Sequence, residues 1–223
     1  MYTIHFSVIF KHINPLLSGL IITAEISVLT MICATFLGVL LAIVRMSGNR
    51  LVSGLSIAYI EFMRNIPLIV LLYIVYYGVP SLIRGFILTP FVAGLIAMTL
   101  NSSAYEAEII RGGLLGIKRN EVESALSLGL TRMQVFLHIT IPHALRLMWD
   151  ALGNQFIGII LGSSVVSIIT LNELTYEALG IGSSTSRHFE VFILLLGIYV
   201  LLSVVLSSIF RYVKLVFLPP RKL

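Results

Sequence analysis

Two sets of polar residues stand out in this 223-residue chain because of what surrounds them. Asn101, Ser102 and Tyr105 interrupt one long apolar run, and Gly162, Ser163 and Ser164 interrupt another. Polar groups inside segments long enough to cross a bilayer are expensive and often mark a solute path. Gly158 and Gly162 also have the small-x-x-x-small spacing that lets helices approach closely, so packing and a solute path stand as equal readings for these glycines. The second set lies in the longest polar stretch, Arg111 to Arg146: Glu121, Val122, Glu123, Ser124, Ala125 and Leu126, then Gly129. Here an apolar stripe (Val122, Leu126) with Ala125 beside it suits recognition in a groove, and the acidic residues favour the start of a helix. No nucleophile is matched with a base, so the chain reads as not an enzyme. It carries no G-x-x-x-x-G-K-[ST] phosphate loop for nucleotide chemistry. His138 and His143 are too isolated for a metal site and read as hydrogen-bonding groups, and the lone Cys33 reads as a small buried apolar residue.

The elements that position these residues follow from composition. Hydrophobic residues make up 58% of the chain, charged residues 11%, and the mean hydropathy is +1.02. A soluble domain carries roughly 25% charged residues, so the solvent around most of this chain must be lipid. The net charge of +5 gathers into no basic face, which excludes a nucleic-acid binder. Met1 to Pro15 lacks the pattern of a cleavable signal. The apolar runs predict an all-α membrane protein with about five transmembrane helices: Gly19 to Val44, Ile66 to Val79, Phe91 to Gly113, Trp149 to Leu171 and Val191 to Val213. Leu51 to Arg64 has helical apolar spacing and is expected to lie at the interface and lead into the second span. Within the first span the only charge is Glu25, expected to snorkel to the interface.

Five crossings place the termini on opposite sides. One set of loops holds Arg45, Arg50, Arg64, Arg111, Lys118, Arg119, Arg132, Arg146, Arg211, Lys214, Arg221 and Lys222; the other holds only Lys11, Arg84 and Arg187. The positive-inside rule then puts the N-terminus outside and the C-terminus in the cytoplasm. The stretch from Arg111 to Arg146 becomes a cytoplasmic loop. In it, Asn120 with Glu123 has capping-box spacing, Gly129 suits a left-handed helix end, Thr131 with Gln134 repeats the capping spacing, and Pro142 is expected to interrupt the second helix. Glu108 and Arg111 are spaced to pair on one helical face, whereas Glu173, Glu177 and Glu190 with Arg187 read as outer loop charge or a docking face.

The same loop resembles the signature of ABC importer permeases, Glu-Ala-Ala-x3-Gly-x9-Ile-x-Leu-Pro. The chain has Glu123-Ser124-Ala125, Gly129 and Ile139-Thr140-Ile141-Pro142, with both spacings intact and two mild departures at Ser124 and Ile141. The stretches Tyr59 to Pro67, Asn101 to Gly113, Pro142 to Arg146 and Gly153 to Ile157 extend the resemblance to the polar amino acid permeases, over nearly the whole chain from Gly19. This implies a type I ABC importer permease fold, with a permease domain over 19–213 and a coupling helix inside the 111–146 loop. It implies a polar amino acid carried by alternating access across the bacterial inner membrane. Its implied partners are an ATP-binding-cassette ATPase dimer, which binds ATP and Mg in place of any cofactor in this chain, a second permease subunit (identical or homologous), and an extracytoplasmic amino-acid-binding protein. The coupling residues would be Glu121, Val122, Glu123, Ser124, Ala125, Leu126 and Gly129. Family members often carry Lys-Asp where this chain has Gly162-Ser163, so a charged pair that could hold an amino acid is missing there.

The other reading is an ion-coupled secondary transporter of small solutes. That class needs an ion site, usually with inverted repeats and buried carboxylates. The sequence offers no convincing repeat, and an odd number of spans argues against it.

Overall fold

The computed structural model describes residues 12–83 and 85–217. The segment before residue 12, with Lys11 and most of the signal-peptide reading, lies outside the described residues, as do Arg84, Arg221 and Lys222. The chain forms α1 (Ile13–Arg45), α2 (Arg50–Asn65), α3 (Leu68–Leu82), α4 (Pro90–Leu115), α5 (Arg119–Ser127), α6 (Arg132–Ile169), α7 (Leu174–Thr185) and α8 (His188–Phe217). No strand occurs among the described residues.

α1, α6 and α8 are each long and apolar enough to cross a membrane, and α2 with α3 forms a pair bent by 104° that can act as one broken span. At 26 residues α4 is about 39 Å long, enough to cross as well. Its polar residues lower its hydropathy, yet three of them, Ser102, Ser103 and Glu106, are buried. α2 precedes the bend, as the interfacial reading expects, and the Pro67 ring enforces the extended conformation of Ile66 (φ −90°, ψ 129°).

The packing inverts the rule for a soluble bundle. Along α1, Thr23, Ser27, Thr30, Ala34, Gly38 and Ala42 are buried at intervals of three or four, while Ile21, Val28, Ile32, Phe36 and Ile43 are exposed on the opposite face. Small residues inside and large apolar ones outside is the pattern for helices solvated by lipid. The small ridge of α1 forms its most extensive contact with α4. A Cβ at Gly38 would lie 3.0 Å from Glu106 Cβ, so no larger residue fits this crossing without displacement. Ile26, Leu71, Leu72, Met98, Val166 and Ile169 form the main apolar core, and Leu16, Leu174, Ile181, Val191 and Leu195 a second one under α7.

Glu25 is exposed, as a side chain reaching for the interface would be. Two expectations are corrected. Cys33 is exposed on the outer side of α1 rather than buried. Pro142 does not interrupt α6: a π turn over Phe136–Thr140 widens the backbone ahead of it, and the helix runs on. The π turn absorbs the hydrogen bond that proline cannot donate.

Candidate functional site

The candidate coupling unit is α5, its turn and the start of α6. α5 ends in a left-handed turn: Gly129 has φ +85°, Gly129 N donates to Leu126 O (3.0 Å) and Leu130 N to Ala125 O (3.3 Å). Thr131 then caps α6 reciprocally with Gln134, the Thr131 backbone N–H donating to Gln134 Oε1 at 2.8 Å and Gln134 N to Thr131 Oγ1 at 3.3 Å. The capping box expected at Asn120 and Glu123 does not form. The helix starts two residues earlier, after Lys118, and Glu123 instead takes Arg119 Nε at 2.6 Å.

All seven residues singled out for coupling lie on this unit. Ala125 is buried, Glu121 and Val122 are half-buried, and Glu123, Ser124, Leu126 and Gly129 are exposed. Leu128 (83% exposed), Leu130, Met133 and Phe136 enlarge the apolar surface around them. His143 Nδ1 lies 2.8 Å from Glu121 Oε2, fastening the first turn of α5 to α6. Among the described residues no group of His, Cys, Asp or Glu could hold a metal.

The residues proposed from sequence for a solute path separate into two places. Asn101 Nδ2 donates to Met63 O at 2.8 Å and Tyr105 OH to Arg64 O at 3.1 Å, while Arg64 lies over the Tyr105 ring (5.4 Å). These carbonyls belong to the last turn of α2, where the bend leaves them without helical partners. Ser102 is buried on the same helix. Gly162, Ser163 and Ser164 stand where α6 tightens into a 3₁₀ turn over Ser163–Ile169; Ser163 and Ser164 donate back to Ile160 O and Leu161 O, each at 2.7 Å. Val166 of that turn presses on Gly94 of α4, two turns (about 10 Å) from Asn101. A Cβ at Gly158 would meet nothing within 4 Å and one at Gly162 only Leu68 Cδ2 at 3.8 Å. Close helix approach within this chain is therefore not what these glycines serve.

Two polar clusters were missed in sequence. Glu173 and Glu190, read as outer loop charge or a docking face, are fully buried. Glu173 caps α7 by accepting from Tyr176 N (2.9 Å), and also accepts from Tyr199 OH of α8 (3.1 Å) and Thr23 Oγ1 of α1 (3.3 Å). Thr23 in turn accepts from Leu174 N at 3.0 Å, and a Cβ at Gly19 would lie 2.9 Å from Leu174 Cα. At the other end of the bundle the expected Glu108–Arg111 pair is present at 2.9 Å and Arg45 of α1 joins it. Only the pair within α4 had a readable spacing; the other partners are distant in sequence.

An α-helical bundle of membrane-length spans, one of them broken, with a helix–glycine-turn–helix projecting from one end, defines a multi-pass transport permease. The chain belongs to the binding-protein-dependent transport system inner membrane component family, the permease subunits of ABC importers, whose model matches residues 34–214. It is 34% identical over 208 residues to the "Probable glutamine ABC transporter permease protein GlnM" of Bacillus subtilis (93% of this chain, 95% of that one). It is 32% identical to the glutamine transport system permease protein GlnP of Escherichia coli K12 (92% and 94% covered). A solved amino acid ABC transporter with histidines superposes with a TM-score of 0.88 at 33% identity, covering 96% of this chain and 99% of that one. The inward-facing MetNI methionine ABC transporter shares the fold at a TM-score of 0.67 and 20% identity, over 94% of this chain and 99% of that one.

Proposed function

We propose that this permease subunit imports a polar amino acid across the inner membrane, and that energy enters through α5 and the Gly129 turn. The observation that carries the reading is the pairing of an exposed apolar patch on α5 with a rigid attachment to α6 through the glycine turn, the Thr131–Gln134 box and the Glu121–His143 contact. A groove on a partner ATPase dimer, which binds ATP and Mg, receives α5 by its apolar stripe. A binding protein delivers cargo on the other side, and a second permease subunit, identical or homologous, completes the path. The permease domain spans 19–213, with its cytoplasmic loop over 111–146. The N-terminus lies outside and the C-terminus in the cytoplasm, supported by the imbalance of Lys and Arg. The names of the related permeases support an amino acid as cargo.

The path runs along the open face of α6 at Gly158, Gly162 and Ser164, while Asn101, Ser102 and Tyr105 shape its wall by holding the bend of α2 and α3. With no charged pair at Gly162 and Ser163, this subunit holds cargo weakly and leaves selection to the binding protein. The test is Gly129→Val, introduced into the assembled importer in vesicles. Assembly and ATP hydrolysis should persist while uptake falls; uptake at the normal rate would show that the turn carries no coupling. Uptake by this chain alone, driven by an ion gradient, would overturn the importer reading in favour of a secondary transporter.

A further inference from the structure

α6 and α8 leave a groove of about 380 Å³ between them, at the same end of the bundle as α5. Phe210 lines it, and Trp149 lies behind that ring (centroids 5.3 Å apart), its Nε1 donating to Phe210 O at 2.9 Å. Its rim is polar: Asp150 and Asn154 on α6 face Ser207, Arg211 and Lys214 on α8. Depth follows from the sequence of α8. The uncharged run from Val191 to Ile209 spans about 28 Å, close to the hydrocarbon thickness of about 30 Å, so Arg211 and Lys214 emerge at headgroup level.

The charges there do not cancel. Lys214 Nζ lies 2.5 Å from Asp150 Oδ2, and Arg211 forms no ion pair among the described residues, leaving the groove with one net positive charge. A basic recess between spans at the interface, with Phe210 in its wall, suits a lipid phosphate. We propose that this groove binds the headgroup of an anionic phospholipid, with its phosphate on Arg211 and Lys214 and its glycerol hydroxyls toward Asn154 and Ser207. Arg211 supplies planar, forked donors for the phosphate oxygens, and the acyl chains leave along the exposed apolar side of α8, past Val204 and Leu201.

Trp149 is the one tryptophan of the chain and makes the site observable. The full chain is reconstituted in phosphatidylcholine nanodiscs doped with phosphatidylglycerol that carries a spin label high on its acyl chain. Signal is taken as the difference from Trp149→Phe, which removes emission from any co-purified subunit. Labelled phosphatidylglycerol should quench more strongly than equally labelled phosphatidylcholine, and Arg211→Gln should weaken that preference about fivefold. Lys214→Gln, in a separate arm, should weaken it as well. Equal quenching by both lipids would overturn the proposal, and so would displacement by inorganic phosphate, which would make the site one for a soluble anion. Absence of quenching, with an Asn154→Cys disulfide between two copies, would show that a second copy covers the groove and would also overturn it.

Discussion

Glu173 accepts from one backbone and two side-chain groups on three different segments, so each side-chain donor can be removed alone. Tyr199→Phe leaves the packing and deletes both a hydrogen bond to the buried carboxylate and the 2.8 Å contact with Thr175 Oγ1, which together should cost about 1.5–3 kcal/mol of stability. Thr23→Val removes both a donor to Glu173 and an acceptor for Leu174 N, and should cost at least as much. A double-mutant cycle read by chemical denaturation should give a coupling energy between them; strict additivity would mean that they do not share Glu173. Glu106 makes the opposite case. It is fully buried beside Gly38, and among the described residues neither of its carboxyl oxygens has a hydrogen-bond partner. Replacing an unpaired buried carboxyl by a neutral isostere is commonly neutral or stabilising. Glu106→Gln should therefore leave the melting temperature unchanged or raise it, and a large drop would mean that the carboxyl has a partner that matters.

At the level of elements, the bend between α2 and α3 depends on side chains from α4. Asn101→Leu removes the donor to Met63 O and should cost about 1–3 kcal/mol, because that carbonyl loses its partner away from water. If Asn101 acts through the bend, Tyr105→Phe should have the same kind of effect, and the loss should show as lowered thermal stability with an unchanged substrate KM. A shift in KM without loss of stability would make Asn101 a direct contact of the cargo. The apolar runs, the glycine turn and the Thr131–Gln134 box were legible because each is decided within a few residues. Asn120 misled because local spacing does not say where a helix begins: Lys118 takes the extended position (φ −68°, ψ 128°), which makes Asn120 part of the helix. Glu173 was illegible for another reason. Thr23 lies 150 residues away, and no local pattern announces a buried carboxylate closing a contact of that range.

The orientation of the whole molecule can be tested with single cysteines on a Cys33→Ser background. Ser127 at the end of α5 and Ser183 in α7 are both exposed. With the N-terminus outside, a membrane-impermeant maleimide should label Ser183→Cys in intact cells and Ser127→Cys only in opened membranes; the reverse pattern would invert the topology. Burial of the α1 ridge against α4 and of Leu174 against Gly19 ties both ends of the bundle to α1, so one helix joins them.

α6 adds a mechanical consequence. From Arg132 to Ile169 it is a single rod of 38 residues, about 57 Å long, with the Gly129 turn at its foot and the 3₁₀ turn at its tip. Each degree of tilt about the foot swings the tip by about 1 Å over that length. A rotation of a few degrees, such as a closing ATPase could impose through α5, would therefore be magnified at the opposite membrane face into a displacement the size of a small side chain.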